Sequence, residues 1–65
     1  MTDYPLDEFE VAIVWAHGGA APEGYLKDAR VVRITEGGVL AVGYTTGAWR
    51  LQSPSSWRDV VVSPR

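Results

Sequence analysis

Short β-branched runs separated by glycine-containing turns dominate the second half of the chain. Residues 29–35 and 39–44 are rich in valine and isoleucine, and a Gly-Gly pair lies between them. Glycine supplies the positive φ that tight hairpin turns need, so this arrangement predicts a β-hairpin. A second turn at 45–47 leads into the short apolar run 48–52, which adds a third predicted strand and completes a meander.

Side chains two positions apart share one face of a strand, and this rule assigns a buried face to each predicted strand. It groups apolar residues on a common face in all three strands, as Val32 with Ile34, Leu40 with Val42 and Tyr44, and Trp49 with Leu51. Arg50 falls on the opposite face from Trp49. We therefore expect these apolar sets to form the core, with Trp15 and Trp49 buried in it.

The C-terminal segment predicts one more strand. Proline and serine in residues 53–56 favour a turn, each for its own physical reason. Trp57 then leads into three consecutive valines, Val60 to Val62. Such a run suits a strand that is covered on both faces or lies against a second layer.

The segment 8–15 fits two kinds of element. Its apolar residues alternate as on one side of a strand, in the order Phe9, Val11, Ile13 and Trp15. A helix would also group Leu6, Phe9, Ile13 and Ala16 on one face, and Pro5 before it and Gly18 after it are typical helix boundaries. We favour the strand, because valine, isoleucine and tryptophan favour extended structure. The strand predicts a mainly β, five-stranded antiparallel barrel, and the helix predicts an α+β fold with that helix on a four-stranded antiparallel sheet.

The length of the chain limits both its organisation and its stability. Sixty-five residues form at most one domain, covering residues 1–65. A chain this short buries only about 60% of the surface that its unfolded form exposes. It has no cysteine, so neither a disulfide nor a thiolate metal site adds stability. A core worth about 3–5 kcal/mol must suffice, so size alone favours a homo-oligomer. A structural subunit that assembles with itself is therefore an alternative function.

The net charge and the N-terminal residues indicate which binding partners and which cellular location to expect. The net charge is −2, with six basic and eight acidic residues, whereas nucleic-acid-binding domains usually carry a basic excess. A nucleic-acid site would use Arg30, Arg33, Arg50 and Arg58, with Tyr44 or Trp57 as a stacking platform. Arg30 and Arg33 face opposite sides of a regular strand, which disfavours that reading. No signal peptide is evident and residues 11–16 are too short to cross a bilayer, so we expect a cytoplasmic protein without membrane contact.

Reactive groups do not converge in the sequence. The chain has one histidine, His17, beside Gly18 and Gly19, and no second ligand at metal spacing. The three serines of the turn at 53–56 lack the glycine context of a nucleophile elbow, and no phosphate-binding glycine loop is present. We therefore expect no catalytic residue, no metal and no cofactor.

Aromatic residues instead indicate a recognition surface. Seven aromatic side chains, three of them tryptophan, are more than so small a domain can bury completely. Tryptophan and tyrosine with arginine nearby are typical of binding hot spots. We expect a non-enzymatic protein-interaction domain, and the binding residues that composition and position favour are Tyr25, Trp49, Arg50, Trp57 and Arg58.

The order of these elements resembles that of SH3-like barrels, with a long loop after the first strand, two short hairpins and a tight turn before the last strand. The segment from Pro54 to Trp57 also resembles the proline-x-x-aromatic turn of SH3 domains. The resemblance implies that Pro54 and Trp57 line a groove for proline-rich peptides. In general style the second half is similar to small orphan proteins of actinobacteria and their phages. That similarity implies a phage accessory protein acting on a host protein.

Overall fold

The computed structural model describes residues 1–65 and contains six β-strands and no helix. The strands are β1 (Thr2–Pro5), β2 (Phe9–Trp15), β3 (Ala29–Ile34), β4 (Leu40–Tyr44), β5 (Trp49–Gln52) and β6 (Trp57–Pro64). All paired strands are antiparallel. The mainly β class and the strand over residues 9–15 are confirmed, and the helical alternative for that segment is wrong.

The six strands form two sheets and do not close into a barrel. One sheet has the order β1-β3-β4-β5, and the other consists of β2 and β6. The prediction of a five-stranded barrel is therefore wrong in strand number and in closure. The chain changes sheets at the turn after β1, where the Glu8 N–H donates to the Pro5 carbonyl at 3.1 Å. β1 consequently pairs with β3, while the one strand that pairs with β2 is β6.

β1 is the strand that the sequence pattern did not predict. Its four residues pair with β3 from Thr2 opposite Ile34 to Pro5 opposite Val31. The Leu6 N–H extends the pairing by donating to the Arg30 carbonyl at 2.9 Å. Proline is tolerated here because β1 lies at the edge of the sheet, where a missing N–H need not break the ladder.

The core lies between the two sheets. Val11 and Ile13 of β2 pack against Val32 of β3 and Leu40 and Val42 of β4. Val32, Leu40 and Val42 are fully buried, as their shared alternation predicted. The half-buried residues Phe9, Trp15, Ile34, Tyr44, Val60 and Val62 pack around this cluster.

β5 faces the opposite way from the prediction. Gln52 lies opposite Leu40, and Arg50 lies opposite Val42. Residues directly opposite each other share a face of the sheet, so Arg50 and Gln52 lie on the core side. Trp49 and Leu51 therefore point away from the core and are 39% and 68% exposed. The expectation that Trp49 fills the core is wrong, because alternation shows which residues share a face but not which face is covered.

A matched pair of leucine substitutions tests this assignment. Leu40→Ala should cost about 2–5 kcal/mol, the usual range for a buried leucine, and so consume most of the stability of a domain worth about 3–5 kcal/mol. Leu51→Ala should change the free energy of unfolding by no more than about 0.5 kcal/mol, as expected at an exposed site. Urea unfolding followed by circular dichroism measures both. Equal losses for the two variants would contradict the facing of β5.

Candidate functional site

The surface of the four-stranded sheet that faces away from the core is mainly apolar, although Val31 and Ala41 on it are buried. Cross-strand neighbours on this surface run in two rows, Pro5–Val31–Gly43–Trp49 and Asp3–Arg33–Ala41–Leu51. We call these eight residues the outer face. Neither β2 nor β6 is hydrogen-bonded to this sheet, and their residues Val11 and Ile13 pack on its opposite side. The large apolar side chains exposed on the outer face are Trp49 and Leu51.

The indole of Trp49 packs closely on Gly43. A Cβ placed at Gly43 would lie 2.9 Å from Cη2 of Trp49 and 3.0 Å from Cγ1 of Val31. Real Cβ atoms do not approach other atoms so closely, so a residue with a side chain would displace the ring. Glycine inside a strand often marks such a close approach. Gly43 therefore provides the space in which the indole rests on the sheet.

Two arginines lie against the same indole. The guanidinium carbons of Arg30 and Arg33 are 5.7 and 5.0 Å from the centre of the Trp49 ring. Both distances fall within the usual range of a cation–π contact. Two positive charges thus lie close to an exposed aromatic ring.

A β-bulge brings Arg30 to this side of the sheet. Ala29 lies opposite Tyr44 and Val31 lies opposite Gly43, so Arg30 is an extra residue in β3 without its own partner. The prediction that Arg30 and Arg33 face opposite sides assumed a regular strand, and it is wrong for this reason.

Only one of these two arginines is ion-paired. Nε and Nη2 of Arg33 donate to Oδ1 and Oδ2 of Asp3 at 2.7 and 2.9 Å. Hydrogen bonding to Arg33 lowers the pKa of the Asp3 carboxyl below its ordinary value, and the same contact raises the pKa of Arg33. The three salt bridges of the structure do not include Arg30. Arg30 therefore places a positive charge without a direct ion-pair partner next to Trp49.

Arg50 and Tyr25 meet on the core side of β5. The guanidinium carbon of Arg50 lies 5.2 Å from the ring centre of Tyr25 and 5.8 Å from that of Tyr44. The Tyr44 hydroxyl donates to the Tyr25 carbonyl at 2.7 Å, and Gln52 donates to the Tyr25 hydroxyl at 3.3 Å. Burial raises the pKa of Tyr44, and the positive charge of Arg50 opposes this effect. Arg50 itself has no carboxylate partner.

Pro54 and Trp57 lie at a different place and join two turns. The indole N–H of Trp57 donates to the Gly38 carbonyl at 2.9 Å. A Cβ at Gly38 would lie 3.3 Å from Cβ of Pro54, so proline packs on the same residue. This contact ties the turn before β6 to the β3–β4 hairpin. Arg58 is exposed, with Nε 3.5 Å from Oδ2 of Asp59.

The structure thus distributes the six predicted binding residues over several places. Trp49 lies on the outer face, Tyr25 and Arg50 lie together on the core side of β5, Pro54 and Trp57 form the turn contact, and Arg58 is separate. Sequence reasoning placed Leu51 on the same face as Trp49 but did not select it as a binding residue, and it did not place Arg30 and Arg33 beside Trp49. Gly43 is the sequence signal that could have pointed to this site. It is a glycine inside one strand of a predicted hairpin whose other strand carries Trp49, and such a glycine often marks a close approach.

Elsewhere in the structure, metal-ligating side chains do not cluster at one site. No group of three or more histidine, cysteine, aspartate or glutamate side chains is placed to hold a metal ion, and His17 lies exposed in a turn. The structure has no helix long and apolar enough to cross a membrane. Comparisons with protein-family models, curated proteins and solved structures return no match. The surface chemistry of the chain is therefore the basis for proposing a function.

The Asp3–Arg33 pair should make stability depend on acid pH. The folded-state pKa of Asp3 is lowered, so its carboxylate adds to the free energy of unfolding. This stabilisation is fully present above the ordinary carboxyl pKa of about 3.9, and it is lost as the pH falls through the folded-state pKa. Wild type should be more stable than Asp3→Asn near neutral pH, and the difference should vanish in stronger acid. Urea unfolding of both proteins from about pH 7 to about pH 2 measures this difference.

Asp7→Asn serves as the matched control, because Asp7 is exposed and makes no salt bridge. The difference in unfolding free energy between wild type and Asp7→Asn should not decrease in acid as it does for Asp3→Asn. A difference between wild type and Asp3→Asn that persists to the lowest pH would show that the carboxylate of Asp3 does not stabilise the fold through Arg33.

Proposed function

We propose that this protein is a non-enzymatic protein-interaction domain that binds its partner through the outer face, with Trp49 at the centre. The observation that carries the proposal is the placement of Trp49, an exposed indole that packs on Gly43 with Arg30 and Arg33 both in cation–π contact with it. Tryptophan and arginine are the residue types most enriched among binding hot spots.

The fixed position of the indole favours binding. Ordering a mobile side chain at an interface costs about 0.5–1.5 kcal/mol, and a ring that already lies on the sheet avoids much of that cost. Leu51 is 68% exposed in the free protein. Burying a leucine fully is worth about 1.5–3 kcal/mol, so covering the exposed part would stabilise a complex by about 1–2 kcal/mol.

The charges beside Trp49 indicate which chemistry the partner's surface should have. Asp3 compensates Arg33, whereas Arg30 keeps an unpaired positive charge beside the ring. The best match is a protein surface that places an apolar side chain on Trp49 and a carboxylate near Arg30. An accessory protein of a phage that docks on a host protein would need such a surface. The proposal therefore includes this role.

The peptide groove implied by the SH3 resemblance has less support. Its aromatic member, Trp57, is half-buried and already donates its indole N–H to Gly38. Its proline, Pro54, packs on that same glycine. A proline-rich ligand would have to compete with this turn contact.

Single-stranded nucleic acid is a second candidate, favoured by the bulge that brings Arg30 and Arg33 to Trp49. A base could stack on the indole while the arginines contact phosphate. Two features oppose this candidate, namely the carboxylate of Asp3 on Arg33 and the net charge of −2. Binding of this kind would weaken steeply with salt, unlike a mainly apolar protein contact.

Affinity capture from a lysate of the source organism or its host tests the proposed function. Tagged wild type should retain a protein that tagged Trp49→Ala loses, because a hot-spot tryptophan contributes about 2 kcal/mol or more, which is about thirtyfold in affinity. Circular dichroism checks that each variant stays folded.

Val61→Ala is the matched control, since Val61 is a 55% exposed apolar residue of β6, in the other sheet. It should capture the same protein as wild type. Capture that is equal for all three proteins would overturn the proposal. Recovery of nucleic acid that is lost at raised salt would favour the second candidate instead.

A further inference from the structure

We infer that the free edge of β5 receives an extended segment of the partner as an additional antiparallel strand, with an acidic residue between two apolar ones. This inference rests on the proposed function, and it adds how the partner binds and which sequence pattern it carries. Strand addition to an exposed sheet edge is a common mode of peptide recognition.

The backbone of β5 has free hydrogen-bonding groups at that edge. β5 has a single neighbour in its sheet, β4. Its pairing begins at Ala48, whose carbonyl accepts from the Tyr44 N–H at 2.9 Å. In antiparallel strands the bonded residues alternate, so Arg50 and Gln52 bond to β4 while the backbone groups of Trp49 and Leu51 point away. None of the hydrogen bonds of turns and loops involves Trp49 or Leu51.

Two features that usually prevent strand addition are weak or absent at this edge. Proteins protect edges with short strands, charged side chains, proline, bulges or a covering segment. The strand Trp49–Gln52 is short and carries one charge, Arg50, which an acidic residue of the partner would neutralise, but it contains no proline and its pairing with β4 is regular. The opposite edge of the same sheet, β1, ends in Pro5. In this sheet β5 is therefore the edge that is open to an added strand.

The side chains of β5 specify the pattern of the incoming segment. Residues opposite Trp49 and Leu51 would lie on the outer face, beside two exposed apolar side chains. The residue between them would lie opposite Arg50 on the other face, with Cβ atoms about 5 Å apart. Arg50 has no carboxylate partner and is held over Tyr25 and Tyr44. An apolar–acidic–apolar segment satisfies all three positions.

The same charge argues against a second copy of this chain as the occupant. Antiparallel pairing of two β5 strands that sets Trp49 against Leu51 would place the two Arg50 residues directly opposite each other. Like charges in that position destabilise a strand pair. An acidic residue in the partner turns this repulsion into an ion pair.

An NMR titration with a short blocked peptide tests the inference. The probe is acetyl-Ser-Thr-Val-Glu-Val-Thr-Ser-amide, and the matched control replaces its glutamate with lysine. The glutamate peptide should shift the backbone amide signals of β5 and slow the hydrogen exchange of the Trp49 and Leu51 N–H groups. The lysine peptide should bind about tenfold more weakly, because it exchanges an ion pair for a repulsion.

Two changes remove backbone hydrogen bonds at the edge. Leu51→Pro deletes an N–H that faces away from β4, so the existing sheet keeps its bonds, and Leu51→Ala is the control that retains the N–H. In the peptide, N-methylation of both valines deletes donors aimed at β5 and leaves the protein unaltered. Leu51→Pro and the methylated peptide should each weaken binding at least about tenfold, whereas Leu51→Ala should weaken it less.

The outcomes separate this inference from the proposed function. Absence of binding at millimolar peptide, equal binding of the glutamate and lysine peptides, or unchanged binding after N-methylation would overturn strand addition. A dimer of the free protein that Leu51→Pro abolishes would overturn it too, since a second copy would then occupy the edge. If Leu51→Pro still captures the Trp49-dependent partner, strand addition fails while the proposed function stands.

Discussion

The pairing of β4 with β5 determines which large side chains this domain buries and which it exposes. Leu40 and Val42 must face the core, and the hydrogen bond from Tyr44 to Ala48 fixes which residues of β5 lie beside them. Because opposite residues share a face, the exposed Arg50 lies on the core side of β5 and Trp49 lies on the outer face. The same register leaves the backbone groups of Trp49 and Leu51 at the open edge. The exposed ring and the free edge are therefore two consequences of one pairing.

The surroundings of Trp49 are adapted to an exposed tryptophan. Gly43 leaves room for the indole, the bulge at Arg30 adds a second cation beside it, and Asp3 holds Arg33 in position. A bulge re-aims side chains and often occurs next to functional sites. An exposed tryptophan is an unfavourable feature in a protein with so small a core, so a binding role gives this arrangement a physical reason.

Much of the fold follows from local sequence signals, and the orientation of β5 does not. The β-branched runs and the Gly-Gly turn predict β3 and β4, because backbone propensity and turn chemistry are local properties. β1 gave no signal, since its stability comes from pairing with β3 rather than from its own composition. Trp49 was recognised as a candidate, but alternation alone placed it in the core. The position of Arg30 depends on a bulge, which only the pairing of two distant segments reveals.

A nuclear Overhauser spectrum of the free protein tests most directly whether Trp49 lies outside the core. We expect contacts from the Trp49 ring protons to the α-protons of Gly43 and to a methyl group of Val31, because the indole and Val31 Cγ1 both lie close to the Cβ position of Gly43. Contacts from that ring to the methyl groups of Val32, Leu40 or Val42 should be absent, because these residues lie between the sheets. If the ring instead shows contacts to those core methyl groups, Trp49 is buried. The outer face would then lose its central residue, and both the proposed function and the acidic strand partner would have to be abandoned.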